Sequence, residues 1–237
     1  MQRTFVNARA GLALGGMVPF SPGDFPGRLA AVLFAQGCPL RCRYCHNPHL
    51  RPSIAANVLS WDAVTAWLMR RRGLLDAVVI SGGEPTLQSG LGAALTEIRD
   101  LGFATGLHSA GVNPKRLASV LPLLDWVGLD IKAPFDRYDA ITGSATSGRH
   151  ARDALSAVVA SGKPYEIRTT IHAHMLGPGD LQTMAGELQR SGVREWVLQL
   201  FRPTGCAEAG LQADSYPHWL ASLLPALRPL VPVIAIR

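Results

Sequence analysis

Several things are scarce in this sequence, and each scarcity excludes something. No apolar run approaches the ~20 residues needed to cross a membrane. Aromatic residues make up only 7%, and none interleave with basic clusters as in a nucleic-acid reader. Charged residues amount to 17% against 48% hydrophobic residues, a balance that buries a core and excludes disorder. No charge block, linker or low-complexity tract divides the 237 residues. The formal charge of +6 comes from scattered Lys and Arg, and the densest run, Arg70-Arg71-Arg72, falls at the end of a predicted helix, where cations suit the dipole. Cysteine is scarce too: there are four, and Cys38, Cys42 and Cys45 lie together. A disulfide framework spreads an even set along a chain, so this clustering points to a metal site in a reducing, cytoplasmic compartment. The stretch Gly11–Phe20 is mildly apolar after two arginines, yet its glycines and Pro19 and the lack of a cleavage pattern argue against a signal peptide. Residues 1–17 are expected to form a flexible leader and 18–237 one domain.

What is present is alternation. Short runs rich in Val, Ile and Leu predict strands at Ala30–Phe34, Ala77–Ile80, Ala104–His108, Trp126–Ile131, Tyr165–Thr170, Glu195–Leu200 and Val231–Ile236, without the strict alternation of half-exposed strands. Between them lie helices. Ser60 is placed to cap one running to Arg72, and another covers Ser89–Asp100 before Gly102. Asn113-Pro114 opens a third. Ala151, Leu155, Val158 and Val159 share one helical face, ended by Gly162. Further helices run from Gly179-Asp180 to Gly192 and over Ser215–Leu227. Repeated strand–helix units predict an α/β fold with a parallel sheet. A closed eightfold barrel typically takes about 250 residues, so a partial, open β/α barrel of about six parallel strands is expected. In such folds chemistry sits at the C-terminal strand ends.

The cysteines follow the first predicted strand, as Gly37-Cys38-Pro39-Leu40-Arg41-Cys42-Arg43-Tyr44-Cys45. The spacing Cys-x3-Cys-x2-Cys lets three thiolates hold three irons of a cubane and leaves the fourth iron open for a chelating ligand. The alternative is a zinc knot, with His46, His49 or Cys206 as fourth ligand; no second cysteine pair supports it, and Cys206 also reads as an ordinary reduced thiol. Ser81-Gly82-Gly83-Glu84-Pro85 follows the second strand, and its paired glycines allow close approach to the backbone. The third ends in His108-Ser109-Ala110-Gly111, where His108 reads equally as ligand-binding or structural. In Gly128-Leu129-Asp130-Ile131-Lys132, alternation puts Asp130 and Lys132 on one side. They suit a ligand's ribose, cation or carboxylate, or a salt bridge closing the barrel rim. Arg168 lies inside an otherwise apolar strand and needs an anionic partner, a ligand carboxylate or Glu84. Gln199 and Arg202 are further candidates for the same cavity.

Cys-x3-Cys-x-aromatic-Cys after a first strand resembles the radical S-adenosylmethionine (SAM) superfamily. The resemblance implies a 4Fe–4S cluster on Cys38, Cys42 and Cys45, with Tyr44 near the SAM adenine. It implies a turn of Gly82, Gly83 and Glu84 at the methionine amino group, and Asp130, Lys132 and Arg168 as SAM contacts. The lead-in Ser21-Pro22-Gly23-Asp24-Phe25-Pro26-Gly27-Arg28, the stretch Asp130–Gly143 and Gln199-Leu200-Phe201-Arg202-Pro203 are similar to the activating proteins of anaerobic ribonucleotide reductases, over about Val18–Pro203. That subgroup commonly shows Asp-Thr-Asn-Gly where this chain has His108-Ser109-Ala110-Gly111, so the cation or SAM contacts of the usual Asp and Asn fall to His108 or are lost. The resemblance implies reductive cleavage of SAM and abstraction of hydrogen from a glycine Cα of a partner, expected to be an anaerobic ribonucleotide reductase. The electron would come from a flavodoxin- or ferredoxin-like donor, and no protein side chain is assigned a catalytic role, since the cofactors carry the chemistry. A radical SAM enzyme acting on a small molecule, such as a carboxy-deazaguanine synthase-like enzyme, and a non-catalytic cluster-binding protein are the alternatives.

Overall fold

The computed structural model describes residues 11–54, 58–206, 208, 210–211 and 217–237. Its eight strands are β1 (Leu14–Ser21), β2 (Ala30–Ala35), β3 (Ala77–Gly82), β4 (Ala104–Ser109), β5 (Trp126–Asp130), β6 (Tyr165–Ile171), β7 (Glu195–Leu200) and β8 (Val233–Ile236). They form one sheet in sequential order, in which β2 to β8 run parallel and β1 pairs antiparallel with β2. The helices are α1 (Trp61–Met69), α2 (Leu91–Asp100), α3 (Pro114–Val120), α4 (Tyr138–Thr142), α5 (Ser147–Ala160), α6 (Pro178–Arg190) and α7 (Leu220–Leu227). Sequential order with right-handed crossovers puts the helices on one face of the sheet and curls it. The edges β1 and β8 stay unjoined, so the expected open barrel is present, with seven parallel strands rather than about six.

Strand periodicity divides the side chains between two layers. Leu33, Ile80, Leu107, Val127, Leu129, Ile167, Trp196 and Leu198 point outward into one large core with the helical apolar stripes, including Leu95 and Ile98 of α2, Leu155 and Val158 of α5, and Leu181 and Leu188 of α6. Each such fully buried aliphatic side chain contributes ~1.5–3 kcal/mol. The opposite, concave face holds a smaller plug of Phe25, Ala30, Val32, Ala77, Val79 and Trp126, with the Phe25 and Trp126 rings 5.5 Å apart. Above that plug, toward the C-terminal strand ends, the inward positions become polar: His108, Asp130, Arg168, Thr170 and Gln199.

The predicted parallel strands are recovered with shifted ends. Val231 belongs to the turn that ends α7, its N–H bonded to the Leu227 carbonyl at 3.0 Å, so β8 begins at Val233. Ser60 stands at the N-cap of α1 without a side-chain bond, whereas the Asn113 side chain accepts from Arg116 N at the start of α3. The start expected for the last helix, Ser215, lies outside the described residues. The leader expected over 1–17 gives way from Leu14 onward to β1. Its glycines and Pro19 hide the strand from propensity. In place, a Cβ at Gly15 would collide with the Gln36 and Leu50 side chains, and Pro19 sits on an edge strand, where a missing donor is tolerated.

Candidate functional site

The loop after β2 is wound by its own backbone. Gly37 turns the chain at φ +99°, a region that favours glycine. Gly37 N then donates to the Leu50 carbonyl at 2.7 Å, Cys38 N to that of Arg51 at 3.0 Å, and Arg41 N to that of Thr142 at 2.7 Å. Gln36 fixes the base of the loop: its amide donates to the Pro52 carbonyl at 2.6 Å, and its own carbonyl accepts from Gln88 at 2.7 Å. The winding presents Cys38, Cys42 and Cys45 to one cavity of about 280 Å³ at the C-terminal strand ends. Burial pushes the Cys38 thiol up to about 11, against a backbone N–H bond from Leu40 and the nearby Lys132. Burial raises Cys42 as well, again opposed by Lys132. Coordination to iron would release these protons, because a ligating thiol is deprotonated outright.

Among the described residues, no three His, Cys, Asp or Glu converge tightly enough to hold one ion. A tetrahedral zinc needs its donors within about 2.0–2.3 Å of a single point. A cubane spreads three thiolates over three irons, and three cysteines around one cavity fit that wider arrangement. His46 lines the cavity but commits its Nε2–H to the Arg202 carbonyl at 2.8 Å. The Cys206 thiol donates to the Arg43 carbonyl at 3.4 Å. These contacts fasten the segment after β7 onto the cysteine loop, together with the ion pair of Arg43 and Glu208 at 2.7 Å.

Across the cavity, β5 and β6 supply its charge. Their register places Asp130 beside Arg168. Asp130 Oδ1 accepts Arg168 Nε at 3.0 Å and Nη2 at 2.9 Å, and Oδ2 accepts Lys132 Nζ at 3.2 Å. The anionic partner required by Arg168 is therefore Asp130, and the alternative of Glu84 is not realised. Asp130 is 31% exposed, Lys132 12% and Arg168 11%. Burial pushes the Asp130 carboxyl up, but Lys132 and Arg168 together outweigh it and hold the group well below the ordinary carboxylate range. Burial lowers Lys132, and Asp130 first, with Tyr44, Cys42 and Tyr138, more than restores it, so the ammonium persists well above neutral pH. Gly128 makes this geometry possible, because a Cβ there would stand 2.9 Å from Arg168 Cζ and Nη1. Tyr138 of α4 braces the strand end, accepting from Lys132 N at 2.9 Å.

The remaining walls come from β3 and β4. Gly82 and Gly83 line the cavity, but the space a Cβ would need is already filled by the chain itself. At Gly82 (φ +112°) it would strike the backbone of Ala35, and at Gly83 the carbonyl of Gly37. Glu84 does not line the cavity. It is fully buried behind it, where Oε1 accepts from Thr86 N (3.0 Å), Thr86 Oγ1 (2.6 Å) and Ser109 Oγ (2.7 Å), and Oε2 from Ala110 N (2.9 Å). Burial raises its carboxyl, and these donors work against the rise. Its observed contacts tie the end of β3 to the end of β4. His108 lines the cavity and donates Nε2–H to the Asp24 carbonyl at 2.9 Å; its ring meets Trp126 edge-on at 5.4 Å. Burial and then Arg168 push its pKa well down, so the imidazole is neutral at physiological pH.

The structure thus brings together Cys38, Cys42, Cys45, Tyr44, Gly82, Gly83, His108, Asp130, Lys132 and Arg168, with Gln199; of the residues predicted for this cavity, Glu84 and Arg202 stand off its wall. Sequence reasoning missed Gly128, Asp24 and Ser109. An isolated glycine inside a strand pattern was the available signal for Gly128. Tyr44 is 4% exposed and its hydroxyl has no partner among the described residues. A buried polar atom of this kind is one that a bound ligand can satisfy, and a polar ligand bearing a carboxylate, such as SAM, suits the Lys132 and Arg168 cations.

Comparison with known proteins agrees with this geometry. The sequence profile described as the radical SAM superfamily matches residues 32–188. A Methanocaldococcus jannaschii protein named for glycyl-radical enzyme activation is 28% identical over 80% of this chain and 80% of its own length. The pyruvate formate-lyase-activating enzyme of Clostridium pasteurianum is 34% identical over 62% of this chain and 63% of its own. Among solved structures, TYW1 with a lysine-pyruvate adduct bound superposes over 85% of this chain and 74% of its own (TM-score 0.64, 16% identity). Streptococcus suis SuiB bound to its precursor peptide SuiA superposes over 85% and 47% (TM-score 0.65, 15% identity). These structures share the fold, and the chain spans about half the length of SuiB. With the superfamily profile extending over more than half of its residues, the protein belongs to the radical SAM superfamily, whose cofactors are a 4Fe–4S cluster and S-adenosylmethionine.

Proposed function

We propose that this chain is a glycyl-radical enzyme activating enzyme, and that its partner is an anaerobic ribonucleoside-triphosphate reductase. The observation that carries the activase reading is the likeness to the Methanocaldococcus jannaschii protein over 80% of both chains. The choice of reductase rests on Ser21–Arg28, Asp130–Gly143 and Gln199–Pro203. When bound, the reduced cluster would give one electron to the SAM sulfonium, whose C–S bond would break to release methionine and a 5′-deoxyadenosyl radical able to take a hydrogen atom from a glycine Cα. The chain's own work is placement. Cys38, Cys42 and Cys45 would hold the cluster, and Lys132 and Arg168 would receive the SAM carboxylate. Tyr44 would lie beside the adenine, and the Gly82-Gly83 turn would offer backbone groups to the methionine amine. The unjoined edges of the sheet give a partner's glycine loop lateral access to the strand ends. Arg41 next to Cys42 is exposed, which suits an acidic flavodoxin- or ferredoxin-like donor.

The test is anaerobic incubation of the reconstituted protein with SAM, dithionite and an anaerobic ribonucleotide reductase, followed by EPR. A glycyl doublet on the reductase, absent with Cys42→Ala, is the expected result. Turnover of SAM into a small-molecule product with no protein radical would refute the activase reading. SAM cleavage retained in Cys42→Ala would refute the cluster assignment.

A further inference from the structure

The cavity is unusual in how its charges are already spent. Asp130, the carboxylate at the centre of the site, uses Oδ1 for two N–H bonds from Arg168 and Oδ2 for Lys132. At the end of β4, where the related pattern Asp-Thr-Asn would offer several oxygens, the groups present are a ring, a hydroxyl and a methyl. The His108 ring is committed to the Asp24 carbonyl. Ser109 Oγ donates to Glu84 and accepts from Gly111 N at 2.9 Å. Ala110 has no side-chain donor to give. Asp24 Oδ2 accepts from Ser21 Oγ at 2.5 Å, which leaves Oδ1, 3.9 Å from His108 Nδ1. A hard cation binds through several oxygens at once; at the end of β4 Ser109 Oγ is engaged with Glu84 and Gly111, and Asp24 Oδ1 is a single carboxylate oxygen left without a donor. Electrostatics points the same way. Lys132 and Arg168 balance Asp130 and Asp24 in charge, so the side chains of the cavity hold no negative excess that would draw in a metal ion.

We infer that the chain carries its own counter-charge for the SAM carboxylate in Lys132 and Arg168, held by Asp130, and takes no alkali-metal ion at the end of β4. This rests on the radical SAM reading and adds that binding is independent of monovalent cations. Asp130 is then a positioning residue: it grips the two cations and leaves their outer faces to the ligand. Gly128 serves the same end, since only a residue without Cβ leaves room for the guanidinium.

The test is SAM affinity of the anaerobically reconstituted full-length chain, measured by calorimetry in potassium chloride and in tetramethylammonium chloride at equal ionic strength. The EPR signal of the reduced cluster with SAM is recorded in both salts. Affinity equal within about twofold and an unchanged signal are expected. Affinity about tenfold weaker without potassium, ~1.4 kcal/mol, would overturn the inference while leaving the radical SAM reading intact. Absence of SAM binding in both salts would overturn both. Arg168→Met, checked for full cluster content, is expected to weaken binding about tenfold or more in either salt; unchanged affinity in that variant would also overturn the inference. Should Arg168→Met fail to fold, the salt comparison on the parent protein still decides.

Discussion

Gly128 and Arg168 depend on each other in a way that makes a sharp test. A methyl at 128 would meet the guanidinium at 2.9 Å and Trp126 Cη2 at 2.8 Å. The guanidinium is the far end of a flexible side chain, but its two bonds to Asp130 keep it in place. Gly128→Ala is therefore expected to cost ~1–3 kcal/mol of stability, the usual range for overpacking, and to weaken SAM binding about tenfold. Urea unfolding and calorimetry read the two effects separately. Asp130 yields a prediction in pH. Its folded-state carboxyl is held below the ordinary range. The stabilisation from its ion pairs is thus complete above the unfolded pKa of about 3.9 and is lost as pH falls below it. The stability gap between the parent and Asp130→Asn should shrink as pH drops from about 5 to about 2; a constant gap would contradict the pairing. These roles differ in how readable they are. Asp130, Lys132 and Arg168 stand out in sequence because ionisable groups are rare inside apolar strands. Gly128 and Ser109 are silent, because their jobs are set by what the neighbouring strand or turn brings against them.

The same distinction governs the elements. The parallel strands were legible because helices cover one face and a plug part of the other, which forces continuous Val, Ile and Leu. The α3 start was legible because Asn113-Pro114 combines a capping side chain with a fixed φ, and the Asn113 side chain does accept from Arg116 N. β1 was not, since an edge strand with two register shifts needs neither alternation nor propensity and tolerates Gly15, Gly16 and Pro19. α4 carries no periodic signal, because its five residues make barely more than one turn. Pro19 on this edge, beside exposed Val18 and Phe20, blunts pairing with other chains. Pro19→Thr restores an edge N–H, so its apparent mass by light scattering should rise with concentration above that of the parent. Identical scattering would mean that the proline is not what guards this edge.

Across the whole molecule, the sheet curls without closing, and its last strand is short. β8 has four residues, and a tie to the concave face comes from Arg237, which donates to Glu166 of β6 at 2.6 and 3.2 Å. Glu166 is buried while Arg237 is 47% exposed. Removing the arginine strands a buried carboxylate, a loss of ~1–3 kcal/mol. Because β8 touches the sheet through β7 alone, the damage should stay local. In Arg237→Ala, amide exchange is expected to accelerate in β8 and at the adjoining edge of β7 while β2 to β5 keep their protection. Uniform acceleration would show that the edge and the centre unfold as one unit.

The cysteine loop owes its shape to main-chain bonds with Leu50, Arg51 and Thr142, none of which involves a thiol. The backbone frame of the receptacle is thus tied by amide–carbonyl bonds that metal coordination to the thiols would leave untouched. Loss of the cluster to air would break iron–thiolate bonds and leave these amide–carbonyl bonds to hold the loop. Repair then becomes a matter of resupplying iron and sulfide rather than of refolding the chain.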